Sequence, residues 1–103
     1  MAGHRAALLV VSVEVAEDDV EELHRWYNEE HGPEKLALPG YLGLRRFRAH
    51  DGSARFLAIY ELSTPEAALA PGNSSPDSSE RMAEIMHKWK RWDRSVWVEI
   101  ESS

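Results

Sequence analysis

The chain predicts an α+β domain of the ferredoxin-like, split βαβ kind: a four-stranded antiparallel sheet built in the order β-α-β-β-α-α-β. Three observations lead there. Residues 6–15, AALLVVSVEV, are a β-branched apolar run; Asp51-Gly52 joins two further alternating runs; and helix-type patterns precede the second strand and the last one. Residues 1–103 form a single domain of ordinary size.

The first strand places Leu9, Val11, Val13 and Val15 on one face and Leu8, Val10, Ser12 and Glu14 on the other. One face is wholly apolar and the other turns polar only at its end, which predicts a central strand. Asp18 or Asp19 can cap the helix that follows, and Asp18 with Glu21 has capping-box spacing. That helix is expected to reach Glu30, because Pro33 disfavours helical geometry at Gly32. A short turn, EKLAL, then ends at Pro39-Gly40.

Residues 41–49 and 55–62 are the hairpin strands. In the first, Tyr41, Gly43, Arg45 and Phe47 alternate with Leu42, Leu44, Arg46 and Arg48; in the second, Phe56, Ala58 and Tyr60 oppose Leu57 and Ile59. Ser63-Thr64-Pro65-Glu66 opens a short helix that Pro71-Gly72 ends, and NSSPDSS reads as a polar, flexible loop. A third helix is expected over 79–93, with Met82, Ile85, Met86 and Trp89 on its buried stripe. Residues 95–101 close the sheet. Helices cover one sheet face only, so the apolar opposite face predicts a homodimer packed sheet against sheet.

Charge excludes several roles. A formal charge of −6 opposes non-specific binding to nucleic-acid phosphates. With no cysteine there is no disulfide, thiolate metal site or thiol nucleophile. The run 6–13 is too short to span a bilayer and lacks a cleavage signal, so a cytoplasmic protein without membrane attachment is expected.

The most informative tract is HRWYNEEHGPEKLALPGY, residues 24–41. Helical spacing aligns His24, Tyr27, Asn28 and His31 in one stripe that begins apolar, at Val20 and Leu23, and turns polar. With Trp26-Tyr27-Asn28-Glu29-Glu30-His31, Pro33, Leu38-Pro39-Gly40-Tyr41, the arginines 45, 46 and 48, and RFLAIYEL followed by STPEA, the chain resembles the EthD-like members of the dimeric α/β-barrel superfamily. The resemblance covers almost the whole chain. It implies a reaction pocket between the sheet and its helices, in a superfamily that includes polyketide cyclases, cofactor-free monooxygenases, muconolactone-type isomerases and haem-dependent enzymes.

His31 is the first candidate, an acid/base near neutral pH or, alternatively, a C-terminal helix cap. Tyr27 and Asn28 are candidates to steady a developing oxyanion. His24, Trp26, Tyr60, Trp89 and Arg46 are candidate substrate contacts, each with a packing alternative. A buried arginine needs an anion, which Glu14, Glu61 or a substrate carboxylate can supply. The histidines lack a third ligand at fixed spacing, so no metal is expected, and no cofactor. The leading expectation is a cofactor-independent enzyme acting by acid/base cyclisation, dehydration or isomerisation on a hydrophobic aromatic or polyketide-like molecule. The alternatives are a cofactor-free or haem-dependent monooxygenase and a non-catalytic ligand-binding dimer.

Overall fold

The computed structural model describes residues 6–69 and 76–100. Strands β1 (Ala7–Val15), β2 (Tyr41–Arg48), β3 (Arg55–Leu62) and β4 (Trp89–Val98) form one antiparallel sheet in the order β2-β3-β1-β4. The most apolar strand, β1, is central because it has side chains to bury on both faces. Helices α1 (Val20–Trp26), α2 (Gly32–Leu36) and α3 (Pro76–Met86) complete a ferredoxin-like α+β fold. No helix among the described residues is long and apolar enough to cross a membrane.

The first helix does not stop at Glu30. It runs through Gly32-Pro33 to Leu36 by widening one turn: Tyr27–His31 is a π-turn, in which the Gly32 N–H donates to the Tyr27 carbonyl five residues back. Proline cannot donate to the carbonyl four residues earlier, and in a regular helix its ring clashes with that carbonyl. The widened turn relieves the conflict, and beyond it the Ala37 N–H returns to the ordinary bond with Pro33 at 3.2 Å. Gly32 is required here, since a Cβ would lie 2.5 Å from the Tyr27 carbonyl oxygen. At the start of α1 neither Asp18 nor Asp19 acts as a side-chain cap; a 3₁₀ turn, Glu17–Asp19, leads in instead.

The helix expected after Ser63 is a single 3₁₀ turn, Pro65–Ala68, with no side-chain bond from Thr64. Pro71-Gly72 and residues 73–75 of the NSSPDSS tract lie outside the described residues; residues 76–79 of that tract are helical, with Pro76 opening α3. The helix expected over 79–93 ends at Met86, and Trp89 begins β4. Trp89 and Trp92 therefore sit on a strand. Ten residues of β4 run beside β1, and the ladder bonds and aromatic packing gained there outweigh a helical apolar period.

A bulge in β2 between Tyr41 and Gly43 changes the predicted alternation. It places Tyr41 with Leu44, Arg46 and Arg48 on the helix-covered face, opposite Leu62, Tyr60, Ala58 and Phe56. That face packs against Val20, Leu23, Trp26 and Tyr27 to make the core. The other face exposes Phe47, Leu57 and Trp97.

Candidate functional site

The site lies where the widened turn meets the helix-covered face of β2 and β3. A regular helix separates residues five apart around its axis, whereas a π-turn brings them nearly into line. Trp26 and His31 accordingly stack, with ring centroids 4.2 Å apart and planes 13° from parallel. The Tyr27 ring meets His31 edge-on at 5.4 Å, and Tyr60 of β3 meets it edge-on at 6.5 Å. Trp89 stands edge-on to Trp26 at 6.0 Å, reached from β4.

His31 is 7% exposed, and burial pulls its pKa down to about 3. Its imidazole is neutral at physiological pH and a weak base. It stands in mid-rod, so the helix-capping alternative does not apply. Burial also raises the phenols: Tyr27 to about 12, and Tyr60 well above the ordinary tyrosine range. Both are protonated hydrogen-bond donors.

Arg46 enters from β2 between these rings. Its guanidinium lies 4.3 Å from the Tyr27 centroid and 5.9 Å from Phe56, two cation–π contacts. Nη1 and His24 Nδ1 are 3.0 Å apart. Arginine only donates, so Nδ1 accepts and the His24 proton resides on Nε2. His24 is held neutral by burial and by the nearby cations Arg46 and Arg48, and its ring packs edge-on against Phe56 at 5.1 Å.

Neither Glu14 nor Glu61 pairs with the β2 arginines. Arg48 bonds Glu17 at 3.1 Å, Arg45 lies over Phe47 at 5.3 Å, and Arg46 has no carboxylate partner among the described residues. Its Nε and Nη2, with Tyr60 Oη and Trp89 Nε1, are shielded from solvent without a hydrogen-bond partner. The structure thus brings together His24, Trp26, Tyr27, His31, Arg46, Tyr60 and Trp89. Asn28 does not join them: it is exposed, because the face that Val20, Leu23, Trp26 and Tyr27 bury leaves position 28 turned to solvent.

Two residues of this neighbourhood escaped the sequence reading. Phe56 forms the floor under His24 and Arg46. Lys35 is buried one turn beyond His31, 5.6 Å from the Tyr41 ring, and burial lowers its pKa to about 8. Its i,i+4 spacing from His31 was the available signal, hidden by ending the helix at Pro33. Among the described residues, no three His, Asp or Glu side chains gather as a metal site requires.

No protein-family model matches the chain, and no curated protein matches it significantly. Solved structures do. A monooxygenase of Streptomyces coelicolor in complex with nanaomycin D is 12% identical, over 97% of this chain and 92% of that one, with a TM-score of 0.75. A Nitrosomonas europaea protein named as an antibiotic biosynthesis monooxygenase is 17% identical, over 97% and 94%, with a TM-score of 0.72. One so named from Deinococcus radiodurans is 9% identical, over 94% and 95%, with a TM-score of 0.74. At these identities the likeness establishes the fold that this chain shares with them.

Proposed function

We propose that this protein is a small oxygenase of the antibiotic-biosynthesis-monooxygenase type, acting without a cofactor on an electron-rich aromatic or polyketide-like molecule. The observation that carries the reading is Arg46: a half-buried cation with two solvent-shielded N–H groups that have no partner among the described residues, near a tyrosine hydroxyl in the same state, inside a box of aromatic rings. Leaving such donors unsatisfied is costly. A bound phenolate or enolate oxygen satisfies them. The names of the structural neighbours, and the nanaomycin D bound by one of them, support a small-molecule oxygenase of this type.

The chemistry follows from where charge develops. Binding the substrate oxygen to Arg46 Nε and Nη2 and to Tyr60 Oη lowers the pKa of an anthrone-like ring, whose proton leaves to water and is taken up again when the peroxide forms. The resulting anion is the reductant. It passes one electron to dioxygen, the radical pair combines to a peroxide at the ring carbon, and loss of water leaves a carbonyl. One oxygen atom enters the product and the other leaves as water. His24 holds the Arg46 guanidinium in place, and Trp26, His31 and Trp89 wall the ring.

A haem variant does not fit these residues. An axial imidazole needs a free nitrogen facing open space. His24 Nδ1 is committed to Arg46, and His31 is enclosed by Trp26, Tyr27 and Tyr60. The acid/base cyclase or isomerase reading rests on His31 beside two phenols; a base with its pKa at about 3 disfavours it. Within the superfamily, the tract 26–31 with Pro33 and 38–41 supports an EthD-like placement.

The test is oxygen uptake with anthrone and naphthol substrates, comparing the wild type with Arg46→Met. Removing the charge should cut turnover about 100-fold, the scale of losing an oxyanion donor. Stability should change little, since the lost contacts with His24, Tyr27 and Phe56 are offset by removing a half-buried charge whose Nε and Nη2 are unsatisfied and keeping a similar apolar volume. Turnover without oxygen uptake that depends on His31 would favour the cyclase reading. Oxygen uptake unaffected by Arg46→Met would remove Arg46 from the mechanism.

A further inference from the structure

We propose that His24 is a proton-operated positioning residue for Arg46: the neutral ring holds the guanidinium toward the substrate oxygen, and one proton on Nδ1 releases it. This control acts on the oxygenase site and rests on that reading of it.

The rotation of the Arg46 fork hangs on a single hydrogen bond. Nε and Nη2 lie along one edge of the planar guanidinium, and Nη1 projects from another corner. Nη1 donates to His24 Nδ1 at 3.0 Å, while Nε and Nη2 are shielded from solvent and have no partner among the described residues. The Tyr27 and Phe56 rings, 4.3 and 5.9 Å from the guanidinium carbon, attract the charge without fixing which edge faces the substrate. Only the bond to His24 does that.

The bond exists while His24 is neutral. Arginine never accepts, so Nδ1 offers its lone pair and the ring proton sits on Nε2. The next proton goes to Nδ1, where it turns the acceptor into a donor and sets two cations face to face at 3.0 Å. Among the described residues no acid bonds the ring to absorb that charge. The charged groups facing it are Arg46 and Arg48 of β2, and β3 brings the uncharged Phe56, edge-on at 5.1 Å. Glu17, in the turn before α1, is engaged by Arg48 at 3.1 Å; Glu21, one turn before His24 on α1, is exposed. Burial and the two arginines hold the His24 pKa below the ordinary value of 6.5. The fork is therefore set at neutral pH and released in acid.

The test uses the isotope-labelled full-length protein and 2,4-dinitrophenolate, which stays ionised across the histidine range of about pH 8 to pH 5. His31, with its pKa at about 3, stays neutral throughout. In NMR, the Arg46 Nε–H resonance of the free protein should shift with the same midpoint as the His24 ring nitrogens. Dinitrophenolate affinity should fall about tenfold across that midpoint. His24→Asn, whose amide oxygen accepts without titrating, should bind equally at both ends of the range. His24→Phe, which keeps a ring but no acceptor, should bind weakly at both. An Arg46 resonance that ignores His24, wild-type affinity level with pH, or no binding at any pH would each overturn the proposal. A protein that binds with this pH dependence but consumes no oxygen with anthrone would keep the switch and lose the oxygenase. Oxygen uptake with level binding would do the reverse.

Discussion

At His31 burial decides which protonation state is available. The unfolded chain titrates near the ordinary histidine value of about 6.5, and the folded ring near 3. Below about pH 6.5 the unfolded state therefore takes up a proton that the folded state refuses. His31 costs nothing at pH 7, and its contribution is lost progressively as pH falls toward the folded value. Between pH 7 and pH 5 the loss is on the order of 2 kcal/mol. Urea midpoints should fall over that range in the wild type and fall much less in His31→Phe; His24, shifted in the same direction, accounts for a remainder. An equal fall in both proteins would show that the His31 ring is not buried neutral. Most of the cluster was legible at this scale: His24, Tyr27, His31, Arg46 and Tyr60, which the structure brings together, were named from residue type and spacing. Asn28 was misplaced because its i,i+4 spacing from His24 was followed, whereas the buried face is set by Val20, Leu23, Trp26 and Tyr27.

The rod from Val20 to Leu36 shows how one local conflict builds the site. Pro33 forbids a regular helix, Gly32 permits a wider turn, and the wider turn stacks Trp26 on His31. Gly32→Ala should therefore disturb more than helix propensity, because its Cβ has to displace the Tyr27 carbonyl. We expect a loss of about 2–3 kcal/mol, with a changed near-ultraviolet circular dichroism signal from Trp26. A loss of under 1 kcal/mol with an unchanged signal would mean that the turn relaxes freely. The β4 strand carries the complementary lesson. Met82, Ile85, Met86 and Trp89 fit a helical stripe, yet the chain leaves the helix at Met86, because the free edge of β1 offers nine residues of pairing.

For the whole molecule, the uncovered sheet face is the dominant surface feature. Leu8, Val10 and Ile59 are half-buried there, while Leu57, Phe47 and Trp97 are exposed. An apolar face of this kind favours a homodimer packed through the sheet. Sedimentation of the wild type should give twice the chain mass at micromolar concentration, and Ile59→Lys should give a single chain, since a lysine at that face has to be desolvated to pair. A monomeric wild type would remove the dimer from the proposal.

The sequence by itself determined the strand order, the centrality of β1, the hairpin at Asp51-Gly52 and the aromatic, histidine-rich tract, because each is written in short-range pattern and turn chemistry. Three matters were left to the tertiary structure. Whether Pro33 ends a helix or widens it depends on Gly32 and on what packs against the rod. Whether residues 89–93 are helix or strand depends on a partner strand more than seventy residues earlier. And the lack of a carboxylate partner for Arg46 among the described residues, which carries the functional reading, depends on which side chains α1 and β3 bring around it. Such long-range pairing and shifts of a single residue leave no trace in local periodicity.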